Sequence, residues 1–177
     1  TIMDLKDYIR SIKDYPKKGI LFRDITTLIK NETAFEESIN QIVERSKKFK
    51  IDKIAAIESR GFVFASAVSY ILKKPFIMLR KKNKLPADVH SVDFELEYGT
   101  ATIEVHKDSI SENDSVLIID DLIATGGTAE AAAKLVEISK GNIAAFIFVI
   151  NLFDLGGCDN LLKKGYKVEN LMDFPGH

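Results

Sequence analysis

Two adjacent acids, Asp120 and Asp121, stand between an apolar run, Val116-Leu117-Ile118-Ile119, and a small-residue stretch, Ala124-Thr125-Gly126-Gly127-Thr128. A continuous branched run of that kind is a strand buried on both faces, as in parallel sheets. Ligands of open α/β sheets bind at such strands' carboxyl ends. The following Ala129-Glu130-Ala131-Ala132-Ala133-Lys134-Leu135 is strongly helix-forming, with Thr128 as its expected N-cap. Glycines ahead of a helix let backbone N–H donors approach an anion, and the helix dipole favours negative charge there. A phosphate in the 124–128 turn, with Asp120 and Asp121 accepting hydrogen bonds from sugar hydroxyls, makes this segment a ribose-phosphate site. The blander reading, a turn whose glycines only relieve strain, leaves two acids on a buried strand unexplained. Other phosphate motifs do not fit. A Walker loop needs a Lys before its last Ser/Thr, and a dinucleotide fingerprint needs a third glycine and an acid after its glycines.

A second turn follows another apolar strand: Ile54-Ala55-Ala56-Ile57 leads into Glu58-Ser59-Arg60-Gly61. Arg60 offers paired donors to phosphate oxygens, and Gly61 is expected to open space for them. Arg80, Lys81, Lys82 and Lys84 form a basic cluster in a polar stretch. Taken alone, these two features read equally well as an ordinary turn and a solvated charge run.

Together the segments are more specific. Residues 116–128 resemble the phosphoribosyl-diphosphate (PRPP) motif of the type I phosphoribosyltransferases. Pro16–Thr26 around Phe22-Arg23-Asp24, Glu58–Phe62, Leu79–Pro86 and Leu96-Glu97-Tyr98-Gly99, in that order, are similar to the adenine-using branch of that family. The resemblance runs from near Tyr15 to about Gly157. Phe94 stands where relatives often carry Tyr, and the tail Met172–His177 has no match.

The resemblance implies transfer of the 5-phosphoribosyl group from PRPP to adenine, giving AMP and pyrophosphate. Its substrate-binding residues would be Ser59 and Arg60 with Arg80, Lys81 and Lys84 for pyrophosphate, and Asp120 and Asp121 for ribose. Ala124, Thr125, Gly126, Gly127 and Thr128 would take the 5′-phosphate. Glu97 would move the purine proton and stabilise a cation-like transition state. Tyr98 would act as a lid, with Arg60 completing the catalytic group. The adenine ring would lie between Phe22 and Leu152, its edge read by the backbone of Leu21 and Arg23. Mg²⁺ is expected with PRPP rather than in a dedicated protein site, and a homodimer is implied. A transferase for another purine base, or a non-catalytic PRPP-sensing regulator, remain the alternatives.

The elements that must position these groups alternate. Helices are expected at 4–14 (Leu5, Ile9, Ile12), 33–48 (Phe35, Ile39, Ile42, Val43), 62–73 and 128–139. Strands are expected at 53–57, 76–79, 116–120 and 143–150. That alternation predicts an α/β fold with a mostly parallel central sheet flanked by helices. A single 1–177 domain would carry an N-terminal hood over about 1–30. A mobile loop and hairpin, about 81–106, would lie over the site rather than inside the sheet. The net charge of −1 argues against a general nucleic-acid binder, and no apolar run approaches a membrane span. One cysteine, Cys158, fits a reducing cytoplasm.

Overall fold

The computed structural model describes residues 3–96 and 99–177. Its N-terminal stretch departs from the expected helix. Leu5–Tyr8 form one 3-10 turn capped by Asp4, and the chain then extends as β1 (Arg10–Lys13). β1 pairs antiparallel with β2 (Leu21–Asp24), from Arg10↔Asp24 to Lys13↔Leu21. A helix of that length is marginal without tertiary support, whereas pairing satisfies both backbones at once. The Arg10 guanidinium also reaches the Asp24 carboxylate at 2.5 Å. Thr26, whose hydroxyl donates to Asp24 at 2.7 Å, holds that carboxyl down to about 2 against its burial, with help from Arg10.

After a short α1 (Thr26–Ile29), Asn31 caps α2 (Glu32–Ser46) by accepting from the Ala34 N–H at 2.9 Å. β3 (Lys53–Ile57), α3 (Arg60–Leu72) and β4 (Phe76–Lys81) follow. The hairpin β5 (Val89–Leu96) and β6 (Gly99–His106) leads to β7 (Ser115–Ile123) and α4 (Gly127–Ile138). The chain ends with β8 (Asn142–Leu152), α5 (Gly157–Lys163) and β9 (Val168–Phe174).

Among the described residues, seven strands make one sheet in the order β5-β6-β4-β3-β7-β8-β9, with β4, β3, β7, β8 and β9 mutually parallel. The hairpin corrects one expectation, because it extends this sheet. β6 pairs antiparallel with β4 (Arg80↔Glu104, Lys81↔Ile103). That pairing covers an edge whose N–H and C=O groups would otherwise be open, and it buries Val92, Ile103 and Val105. The hairpin still reaches the predicted phosphate turn, since β5 packs along α4.

Side chains alternate along β7. Leu117 and Ile119 enter a core with Ile39 and Ile42 of α2 and Phe64 and Val68 of α3. Val116 and Ile118 enter a second core with Leu135 and Val136 of α4 and with Phe146 and Phe148. Those last two rings are fully buried and stacked 5.8 Å apart. Each buried ring contributes roughly 1.5–3 kcal/mol, so the doubly covered sheet is a rigid base for the turns at its carboxyl edge.

Candidate active site

β3 and β7 are neighbours and parallel, so their carboxyl ends lie side by side. The turns that leave them therefore face one cavity of about 430 Å³. Ser59 and Arg60 line it from the β3 side and Asp120 and Asp121 from β7. Ala124, Thr125, Gly126, Gly127 and Thr128 line it from the turn into α4, and Lys81 from the end of β4.

The 124–128 turn corrects the expected cap. Gly126, not Thr128, is the N-cap of α4, and Thr128 is the second helical residue. Gly126 sits at φ +93°, a left-handed conformation that L side chains rarely adopt. Its lack of a capping side chain leaves the first N–H groups of α4 to an incoming anion.

Asp120 and Asp121 are not equivalent. Asp121 pairs with Arg60, Nε to Oδ2 at 3.0 Å, while its own N–H donates to Asp120 Oδ1 at 2.8 Å. Burial, then the neighbouring Asp121 charge, pushes the Asp120 carboxyl well above the ordinary carboxylate range, with Arg60 pulling weakly the other way. Gly61 has a purpose different from the one expected. A Cβ there would lie 2.9 Å from Asp120 Oδ1, so its missing side chain makes room for that carboxylate rather than for a ligand.

Glu58 carries a role that its place in the motif did not disclose. It accepts from the Lys81 N–H at 2.8 Å and from Arg80 Nε at 3.2 Å, fixing the start of the basic segment against the β3 turn. Burial pushes its carboxyl up, but those two donors outweigh burial and leave it below its ordinary value. Buried Glu104 does the same further along, accepting from the Asn83 N–H (2.9 Å) and the Ser91 hydroxyl (2.5 Å). Lys84 and Lys82 line an adjoining groove with Lys81, Glu58, Phe94 and Leu96. Arg80 does not line the cavity between the β3 and β7 turns but pairs with Glu58, which does.

Four expected base-contacting residues lie elsewhere. Leu21, Phe22 and Arg23 are on β2, and Leu152 is buried at the end of β8. None of them lines the cavity between the β3 and β7 turns. Phe22 meets Tyr15 edge-on at 5.1 Å. The Arg23 guanidinium donates to the Ser11 hydroxyl (2.5 Å) and the Pro175 carbonyl (3.0 Å) and stacks over Phe174. Both terminal nitrogens of that guanidinium are therefore engaged, while its Nε is buried with no hydrogen-bond partner. Glu97 and Tyr98 lie outside the described residues. Among the described residues, no group of three or more His, Cys, Asp or Glu gathers as a metal ion would need.

A doubly covered parallel sheet with an acid pair and a glycine-capped turn at its carboxyl edge defines the phosphoribosyltransferase class. The phosphoribosyl transferase domain model matches residues 24–168. An adenine phosphoribosyltransferase of Pelagibacter ubique (strain HTCC1062) is 86% identical over 175 residues, covering 99% of this chain and 100% of that relative. The crystal structure of adenine phosphoribosyltransferase from Thermoanaerobacter pseudethanolicus superposes with a TM-score of 0.92 at 45% identity, over 96% of this chain and 98% of that one. The Giardia lamblia enzyme complexed with 9-deazaadenine gives 0.91 at 33% identity, over 98% and 99%. The chain belongs to the adenine phosphoribosyltransferase family.

Proposed function

We propose that this chain is a purine-salvage transferase that moves the 5-phosphoribosyl group from PRPP to adenine, releasing AMP and pyrophosphate. One observation carries the reading: a single cavity gathers a glycine-capped anion turn, two strand-end acids and a cationic turn, matching in order the three parts of PRPP.

The 5′-phosphate takes the open N–H groups at 124–128 and the start of α4. Asp120 and Asp121 accept from the ribose hydroxyls. Arg60 already bridges toward the ribose site through Asp121, so pyrophosphate binding draws its guanidinium from one anion to another. Ser59, Lys81, Lys84 and Arg80, the last held through Glu58, add donors around the leaving group. Mg²⁺ arriving with PRPP would be held by the substrate and water rather than by a dedicated protein site, and would supply neutralisation of charge on the leaving group.

Adenine is read at β2 by the backbone of Leu21 and Arg23, between Phe22 and Leu152. The closeness of Tyr15 to Phe22 supports an aromatic wall there. The Giardia relative's complex with 9-deazaadenine supports a purine ligand. Glu97, which follows Leu96 in the sequence, takes the purine N9 proton as the C1–N9 bond forms and the C1–pyrophosphate bond breaks. Tyr98 closes over the substrates.

A homodimer fits the exposed apolar residues Val63, Tyr70 and Ile71 of α3 and Met78 of β4. Tyr70 is 85% and Met78 47% exposed. Among the described residues, no helix is long and apolar enough to cross a membrane. A highly charged substrate such as PRPP, made and kept inside cells, supports the cytoplasm. The test is steady-state turnover of the purified protein with PRPP and Mg²⁺ against adenine, hypoxanthine, guanine and xanthine. AMP formation from adenine alone supports the reading. Preference for an oxo-purine transfers the chain to the second base class, and no turnover with any base leaves a PRPP sensor.

A further inference from the structure

Gly157 begins α5, 33 residues beyond Ala124, and is buried behind the 124–126 turn. Its N–H donates to the Ala124 carbonyl at 3.1 Å. A Cβ on Gly157 would lie 2.5 Å from that carbonyl oxygen, 2.8 Å from Gly126 N and 2.8 Å from the Thr125 carbonyl carbon. All three are backbone atoms, so no side chain can swing aside to relieve the overlap. From the other side, a Cβ on Gly126 would lie 3.0 Å from Gly157 Cα. The two glycines pack back to back.

Conformational freedom does not explain Gly157. It is a helical residue outside the positive-φ glycines, whereas its neighbour Gly156 is at φ +85°. Alanine would favour the helix more than glycine does. What demands glycine at 157 is the closeness of the turn's backbone. We propose that Gly157 is a positioning residue for the 5′-phosphate: its bare Cα and its N–H set the height and tilt of the 124–126 backbone, and so the aim of the N–H donors on α4. This rests on reading residues 124–128 as the phosphate site.

Gly157→Ala must push the turn toward the cavity or break the Gly157–Ala124 hydrogen bond. Either change misaligns charge-assisted hydrogen bonds to the phosphate. AMP affinity should fall roughly tenfold or more, the loss expected for one such bond. Adenosine, which lacks the phosphate, should bind as in the unaltered protein. KM for PRPP should rise with little change in kcat, because the phosphate is gripped equally in ground and transition states. Gly156→Ala is the control. A Cβ there meets nothing within 4 Å, but the backbone is strained at φ +85°. It should lower thermal stability while leaving the AMP-to-adenosine affinity ratio intact.

Gly127→Val separates this inference from the site reading. Gly127 lines the cavity, and its Cβ would meet only the Glu95 carbonyl at 3.8 Å, so added bulk crowds the anion without internal overlap. Weaker AMP binding in Gly127→Val with an unchanged ratio in Gly157→Ala overturns the role of Gly157 and keeps the phosphate site. Unchanged ratios in both overturn both. Should Gly157→Ala not fold, the unaltered protein still decides: the Gly157 amide resonance should shift on titration with AMP and stay put with adenosine. Equal response to the two ligands overturns the proposal.

Discussion

Gly61→Ala tests the packing of the acid pair with the smallest possible change. The added Cβ would sit 2.9 Å from Asp120 Oδ1, against 3.4 Å from the Ile119 carbonyl and 3.6 Å from Ala56 Cβ. Only the first contact falls below 3.0 Å, and because it meets a side-chain end, an ordinary 3.4 Å separation is restored when the carboxylate oxygen retreats by about 0.5 Å (3.4 − 2.9). That same oxygen accepts the Asp121 N–H at 2.8 Å. The retreat stretches this bond toward about 3.3 Å, beyond the useful N–H···O range. Overpacking plus a weakened bond to a carboxylate should cost about 1–3 kcal/mol. For a chain of this size that lowers Tm by about 2–4 °C per kcal/mol. Because the displaced group is the proposed ribose acceptor, KM for PRPP should rise alongside the stability loss. Thermal unfolding and PRPP saturation kinetics on one preparation measure both. Unchanged Tm and unchanged KM would refute the placement of Asp120 against α3 and with it the reason glycine follows Arg60.

Asp120→Asn should trade function for stability. The Asp120 carboxyl is raised in the fold, so the native state loses stability as pH climbs from the ordinary value of about 3.9 through the raised one, whereas the amide avoids that loss. The variant should melt higher than the unaltered protein at pH 7, with the gap closing below about pH 4, while PRPP affinity falls; a lower Tm at pH 7 contradicts the electrostatics. Glu97→Gln should cut kcat and kcat/KM together by about 10²–10⁴-fold with PRPP and adenine still bound, measured by steady-state AMP formation and equilibrium adenine binding, and near-normal kcat removes Glu97 from the chemistry. Tyr70→Glu places a charge on the exposed α3 face and should convert a dimer to monomers in sedimentation velocity; an unchanged species means that this face is not the interface.

The gathering of the acid pair and the 124–128 turn around one cavity was legible because its signals are local in the chain. A four-residue apolar run, two acids, a small-residue turn and an alanine-rich helix lie within twenty residues, and neighbouring parallel strands then bring the Arg60 turn beside them. What was hidden depends on partners remote in sequence. Leu5, Ile9 and Ile12 satisfy helical spacing, yet Arg10 and Asp24 pair across a hairpin instead. The antiparallel hairpin joined the sheet because β4 offered it an edge, a fact about neighbours rather than composition. Gly61 makes room for a carboxylate 59 residues further along, and Arg23 is tied to Pro175 in a tail with no recognisable motif. Glu58 was visible in its motif, but the donors that give it a role come from the end of β4. Thr128 looked like a cap by residue type, and the positive φ of Gly126 took that place.

The account's central claim is that one cavity, between the β3 and β7 turns, holds a phosphoribosyl group. A crystal structure of the protein with AMP tests it most directly. The account predicts the 5′-phosphate within hydrogen-bond distance of backbone N–H groups between Ala124 and Thr128, and the ribose hydroxyls on the carboxylates of Asp120 and Asp121. AMP with its phosphate on the basic segment 80–84, or with its ribose away from both acids, would contradict it.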